Sequence, residues 1–345
     1  RMKIEQDRAE ILSGVRWGMT MGSPISLLIE NRDWKNWQEG MSAESRHEGS
    51  IKPVTRPRPG HADLPGALKY NLKDIRNILE RSSARETAMK VALGAIAKKF
   101  LSEFRIFAGS YIIQIGSIKM QDSLAKSFRE DFSPKDALEK IDASPVRCPD
   151  EEASQEMARL IDLAAKNGDT LGGKFEVVVT GVPAGLGSHI QWDKRLNSRL
   201  SQALMGIQAI KGIEIGTGFE AGEKFGSEVM DEIFHDSSIG FYRKTNNAGG
   251  IEGGMTNGMP VLIRAVMKPI PTLKKPLRSV DILTKEPIEA AYERSDTCAA
   301  PAAAVIAEAM TAVVIADAIL EKFGGDSVDE TKRNFNSYLE RIKEF

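Results

Sequence analysis

Residues 56–63 read Arg56-Pro57-Arg58-Pro59-Gly60-His61-Ala62-Asp63. Two prolines stiffen a loop that carries two permanent cations, an imidazole and a carboxylate. Stiffness lowers the entropic cost of aiming long arginines at an anion, or of holding an acid–base group in place. A solvated loop with ordinary surface charge is the plain alternative. A second cluster, Arg81-Ser82-Ser83-Ala84-Arg85, stands where a helix is expected to begin. Free N–H groups, the positive end of the helix dipole, hydroxyls and guanidinium groups would suit a phosphate there, and a simple capped helix would look the same. A third stretch, residues 246–272 (NNAGGIEGGMTNGMPVLIRAVMKPIPT), is rich in glycine and ends in Lys268-Pro269-Ile270-Pro271-Thr272. Paired glycines let backbone approach a flat ligand or its phosphate, and they also make bulged hairpins. Glu293-Arg294-Ser295-Asp296 places a cation and a carboxylate just ahead of a long apolar run, where surface capping is the ordinary reading.

Two other patterns imitate nucleotide sites. Residues 168–175 (GDTLGGKF) mimic a phosphate loop, but Phe175 replaces the Ser or Thr that would hold magnesium, and the segment joins a helix to a strand, the reverse of the required order. Gly216-Thr217-Gly218 with Gly222 follows a strand at GxGxxxG spacing, and a nicotinamide dehydrogenase built on it would need a parallel βαβ unit. No GxSxG, HExxH or CxxC occurs. Cys298 stands near a helix start and reads either as an activated thiol or as a small core residue of an alanine-rich helix.

The elements that must position these residues follow from periodicity and punctuation. Extended runs at 10–16 and 25–30 predict an early hairpin, and residues 31–66 carry too many prolines and glycines for regular structure. Ser83 and Glu86 have capping-box spacing ahead of Met89, Ala92, Ile96, Phe100 and Phe104, which predicts a helix. Strands are expected at 111–115, 174–180, 211–216 and 260–267. Helices are expected at 151–165, from an Asp193 cap through Met205, and at 302–320, with a charged tail after the last. Strands and helices do not alternate regularly and several strands look hairpin-linked. The expected class is therefore α+β with antiparallel sheets, and with no repeat or clear linker the expectation is a single domain over residues 1–345.

Composition narrows the function. Lys plus Arg (47) nearly cancels Asp plus Glu (48), so no whole-chain field points to nucleic acid or to an acidic membrane. Only Cys148 and Cys298 are present, too far apart for a zinc spacing, which fits a reducing, cytoplasmic setting. The apolar run 299–320 contains Pro301, Glu308 and Asp317 and reads as a buried core helix rather than a membrane span. The chain opens at Arg1 with no secretion signal.

Taken together and in order, RPRPGHAD, ERSSARETA, TNNAGGIEGGMTNG, MKPIPTL and ERSDTCAAPAAAVIAE resemble the chorismate synthase family. The resemblance implies a layered α+β fold with core helices packed between antiparallel sheets, and a homotetramer. It also implies a carbon–oxygen lyase acting on 5-enolpyruvylshikimate 3-phosphate, which loses phosphate by 1,4-anti elimination to give chorismate. The cofactor it implies is reduced FMN, with NADPH the candidate reductant; no metal, nucleic acid or membrane is implied.

By that resemblance Arg1, Arg58, Arg85 and Arg294 would bind the polyanionic substrate, for which bidentate, always-charged arginine is better suited than lysine. Arg81, Ser82, Ser83, Gln202, Ala203, Gly253, Lys268, Pro269, Ile270, Pro271, Thr272 and Arg294 would contact FMN. His61 would serve beside the flavin pyrimidine edge, and Asp296 would assist removal of the carbon-6 proton near flavin nitrogen 5. Family members carry an earlier segment with a GESHG-like motif, which is expected ahead of Arg1, and Trp17 stands where the family often has histidine. Trp17 reads as tolerated variation, whereas a sequence without the histidine of that earlier segment motivates the alternative, a catalytically dead flavin- or anion-binding protein.

Overall fold

The computed structural model describes residues 8–82, 85–125, 134–293 and 295–345. Its contacts gather into two compact units, Arg1–Ala92 with Pro271–Ser295, and Leu93–Ile270 with Asp296–Phe345. No linker marks the division in sequence, because the first boundary falls inside a continuous helix.

In the first unit, β1 (Ala9–Ser13) pairs antiparallel with β2 (Ser26–Ile29), as the extended runs predict. The irregular stretch that follows contains two short 3-10 turns, Arg32–Asn36 and Ser45–His47. It ends sooner than expected, because α1 (Asp63–Tyr70) takes in Pro65 and Gly66. Proline is tolerated in a first helical turn, where its missing N–H has no intrahelical partner to lose. Then come α2 (Arg76–Ser82), anchored through buried Ile75 and Ile78, and α3 (Arg85–Ser102). The proposed cap Ser83 lies outside the described residues, and Phe104 falls just beyond the helix end. A small hairpin, Arg278–Val280 with Pro287–Glu289, completes this unit.

The second unit is built on a five-stranded sheet of β3 (Phe107–Ile115), β4 (Ile118–Lys119), β5 (Gly173–Thr180), β6 (Ile210–Ile215) and β7 (Val261–Met267). The order is β4-β3-β5-β7-β6, with every neighbour antiparallel. Its helices are α4 (Pro134–Ala143), α5 (Glu151–Lys166), α6 (Leu196–Met205), α7 (Ala300–Phe323) and α8 (Val328–Glu344). The α+β class with antiparallel pairing therefore holds. Tyr111, Glu176, Arg264 and Glu214 stand in one register row across β3, β5, β7 and β6, and the Tyr111 hydroxyl donates to Glu176.

Helix α7 packs on β3, β5 and α6 and is the core helix the sequence predicts. It is long and apolar enough to cross a membrane, yet 67% of its apolar window is buried in the fold, and its Glu308 accepts hydrogen bonds from Lys98 and Ser110. Its alanine face permits very close approach. A Cβ added at Gly94 of α3 would stand 2.3 Å from the Ala309 Cβ, so only glycine fits that crossing.

Two expectations are corrected here. Asp193 sits in a 3-10 turn (Trp192–Lys194), and α6 starts after the extended residue Arg195, where Leu196, Leu200 and Leu204 turn one buried face inward. The charged tail is in fact α8, capped by the Ser327 hydroxyl accepting from Glu330 N. Its Phe335 ring meets Phe104 and Phe323 at 5.3 and 5.2 Å.

Candidate functional site

The 56–63 loop of the first unit folds around one carboxylate. Asp63, in the first turn of α1, is 1% exposed, and Arg58 is 7% exposed. Asp63 Oδ2 accepts from Arg58 N and Nε, both at 2.9 Å, while Oδ1 accepts from Arg58 Nη2 at 3.1 Å and meets His61 Nδ1 at 2.5 Å. Burial pushes this carboxyl up, but the hydrogen bonds from His61 and Arg58 outweigh it and hold Asp63 well below the usual carboxylate range. Arg58 Nη1 donates to Thr272 Oγ1 at 2.8 Å, and Nη2 lies 3.1 and 3.3 Å from the two ring nitrogens of His61.

The 271–295 segment ties the loop down further. Ser279 Oγ donates to Pro57 O at 2.5 Å, Ile282 N to Thr55 O at 2.9 Å, and Ser295 Oγ to Thr272 O at 3.3 Å. A loop clamped by a segment more than two hundred residues later in the chain is not a solvated loop. Of the predicted site residues in this unit, the structure brings together Arg58, His61 and Thr272. Arg81 is exposed and Ser82 half-buried at the end of α2, Arg85 opens α3, and Arg1, Ser83 and Arg294 lie outside the described residues.

In the second unit the glycine-rich stretch is held through its backbone. The Asp231 carboxylate accepts from Thr245 Oγ1, Asn247 N and Ala248 N at 2.5, 2.8 and 2.9 Å, and Asn246 bridges Gly250 N and Pro260 O. A cavity of about 430 Å³ borders this stretch, lined by Thr217, Asp231, Asn247 and Ala248 among others. Gly253 has φ +59°, a conformation that favours glycine, and a Cβ added there would meet nothing within 4 Å, so the backbone is open at this turn.

Lys268 leaves β7 beside Lys211, and burial first, then the Lys211 charge, lowers the pKa of its ammonium. Thr170 Oγ1 fixes the next turn by donating to Ile270 O at 2.7 Å. Asp296 is exposed, just ahead of α7.

Gln202 and Ala203 lie on α6, with Gln202 exposed. The Gln-Ala dipeptide beside Lys268 is a different one, Gln208-Ala209, whose Ala209 O accepts from Lys268 N at 3.0 Å. The repeat of the dipeptide just ahead of a predicted strand is the sequence signal for this second pair. Sequence reasoning missed Asp63 as the centre of its loop.

The decoys resolve in the same frame. Residues 168–175 run from the end of α5 into β5 as read, and β6 is antiparallel to β7 and followed by a 3-10 turn at Gly218–Glu223, which removes the dehydrogenase reading. Burial raises the Cys298 thiol and pushes Cys148 up to about 11, so neither is an activated nucleophile. Among the described residues no cluster of His, Cys, Asp or Glu could hold a metal.

The sequence pattern of the chorismate synthase family matches residues 1–320. The chain belongs to the chorismate synthase family. The chorismate synthases of Geotalea daltonii and Aquifex aeolicus are each 56% identical to it across 100% of this chain and 88% and 87% of their own. That of Pelobacter propionicus is 58% identical across 99% of this chain and 87% of its own. A solved structure, "Crystal Structure of Chorismate Synthase", superposes with a TM-score of 0.79 over 98% of this chain and 86% of that one, at 46% identity. Membership carries chorismate synthase function, a lyase activity of the shikimate route to aromatic amino acids.

Proposed function

We propose that this chain removes phosphate from 5-enolpyruvylshikimate 3-phosphate by 1,4-anti elimination, with reduced FMN as cofactor, and releases chorismate. The strongest support is the family match over residues 1–320. The residues present fit a flat anionic cofactor on two observations: the open backbone at Gly253, and the neighbouring cations Lys268 and Lys211, which suit a phosphate. The group itself supplies transient electron donation to the substrate, returned within each turnover.

The protein's own contributions are binding, orientation and proton handling. Lys268, Pro269, Ile270, Gly253 and Gln208-Ala209 in the second unit, and Arg81, Ser82, Ser83, Pro271, Thr272 and Arg294 in the first, are the proposed flavin contacts. Gln208-Ala209 is proposed rather than Gln202-Ala203, because it is the pair bonded to Lys268. Arg1, Arg58, Arg85 and Arg294 are the proposed partners of the substrate carboxylates and phosphate. Arg58 has three N–H groups engaged by Asp63 and Thr272 and its second Nη2 hydrogen beside His61, which leaves the second Nη1 hydrogen to face an anion. His61 holds and moves a proton, and Asp296 assists loss of the carbon-6 proton.

A homotetramer in the cytoplasm, with NADPH as the reductant, completes the proposal. The test is product analysis under anaerobic conditions with purified protein, substrate and reduced FMN. Chorismate and phosphate should form one for one, and His61→Ala should lower their rate by about two to four orders of magnitude. Phosphate without chorismate would identify a phosphatase instead.

A further inference from the structure

We infer that Asp63 is a positioning residue for His61: its buried carboxylate fixes the imidazole in one orientation with the proton on Nδ1, so that Nε2 is the nitrogen through which His61 exchanges a proton. This rests on the reading that His61 moves a proton during turnover.

The wiring leaves the ring little choice. Asp63 is 1% exposed, and its two oxygens receive Arg58 N, Nε and Nη2 in addition to His61 Nδ1. An ionised carboxylate can only accept hydrogen bonds. At 2.5 Å from Oδ1, Nδ1 must therefore be the donor, which assigns the tautomer. Arg58 contributes in two ways. It anchors the carboxylate from its own backbone and side chain, and its Nη2 sits 3.1 and 3.3 Å from Nδ1 and Nε2; with Nδ1 donating to Asp63, only Nε2 can accept from it, which limits how the ring can turn and marks Nε2 as the accepting nitrogen. The start of α1 adds a third anchor, since a negative charge in a first helical turn faces the positive end of the helix dipole. A carboxylate that sets the tautomer of a histidine through Nδ1 is a general device for making Nε2 the working atom, and loss of the carboxylate leaves the geometry but frees the wrong tautomer.

The test combines spectroscopy with kinetics on the full chain. In protein labelled with ¹⁵N at its 4 histidines, the His61 signals are assigned by their disappearance in His61→Ala. The wild type should give the nitrogen shifts of a pure Nδ1–H tautomer with a slowly exchanging proton, and Asp63→Asn should give the mixed pattern of an unfixed imidazole. With reduced flavin, Asp63→Asn should lower kcat on the order of a hundredfold or more while KM moves less than about threefold, and it should add nothing in a His61→Ala background.

An Nε2–H tautomer in the wild type would overturn the inference, and that spectrum decides the matter even if Asp63→Asn does not fold. Unchanged turnover in Asp63→Asn, with His61→Ala inactive, would overturn the inference alone. Unchanged turnover in His61→Ala would overturn the inference together with the reading of His61 on which it rests. Losses that add in the double variant would reduce Asp63 to a purely structural residue.

Discussion

The loop at residues 56–63 and the stretch at residues 245–258 both carry candidate ligand contacts, but they are made rigid in different ways. In the loop, side chains grip one another: Arg58, His61 and Thr272 converge on or through a single buried carboxylate. In the glycine-rich stretch, side chains grip the backbone: Asp231 and Asn246 hold amides of 247, 248 and 250, and of the paired glycines Gly253 is left open. The difference matches what each must present. A loop that offers charged and titratable groups needs those groups oriented, whereas a surface that accepts a flat ligand needs its main chain fixed and its side chains out of the way.

The comparison breaks most visibly at the centre of the loop. Asp63→Ala removes the acceptor from a buried arginine, and uncompensated buried charge costs about 3–5 kcal/mol, so urea unfolding should shift by that amount. A loss under about 1 kcal/mol would mean that Arg58 finds another partner. Asp231→Ala removes three hydrogen bonds from a half-buried position and should cost less, about 2–3 kcal/mol by the same measurement. Gly253→Ala sharpens the contrast, because the space is open and only the positive φ resists. Stability should fall by only about 1 kcal/mol, while calorimetry should show FMN affinity falling by more than about tenfold. Equal affinity in that variant would remove Gly253 from the flavin contacts.

The smallest effect at neutral pH is on acid stability. Asp63 binds its proton less tightly folded than unfolded, so its contribution is complete above about pH 4 and is lost as pH falls through the depressed folded value. Denaturation midpoints followed from about pH 6 down to 2 should therefore decline less steeply in Asp63→Asn than in the wild type.

Much of this was legible in the chain. The RPRPGHAD segment announces a cation, an imidazole and a carboxylate on a stiff loop, and the alanine run announces α7. The wiring was not legible, because burial of Asp63 depends on Ser279, Ile282 and Thr272, which reach the loop from residues far along the chain. Helix α8 was missed because its high charge hides a narrow apolar stripe, although Ser327 and Glu330 stand at cap spacing. Asp193 suits a cap by residue type, yet Arg195 is the extended residue at which α6 begins. The two Gln-Ala pairs differ for a related reason. Two identical dipeptides have identical local chemistry, and only the pairing of β6 with β7 brings one of them to Lys268.

An elimination with no net redox change should nevertheless need a reduced flavin held by these residues. Anaerobic stopped-flow phosphate release tests this most directly, run with reduced FMN, with oxidised FMN and with no flavin. Release should occur only with reduced FMN, and the flavin should be recovered reduced after many turnovers. Equal rates in all three conditions would contradict the account.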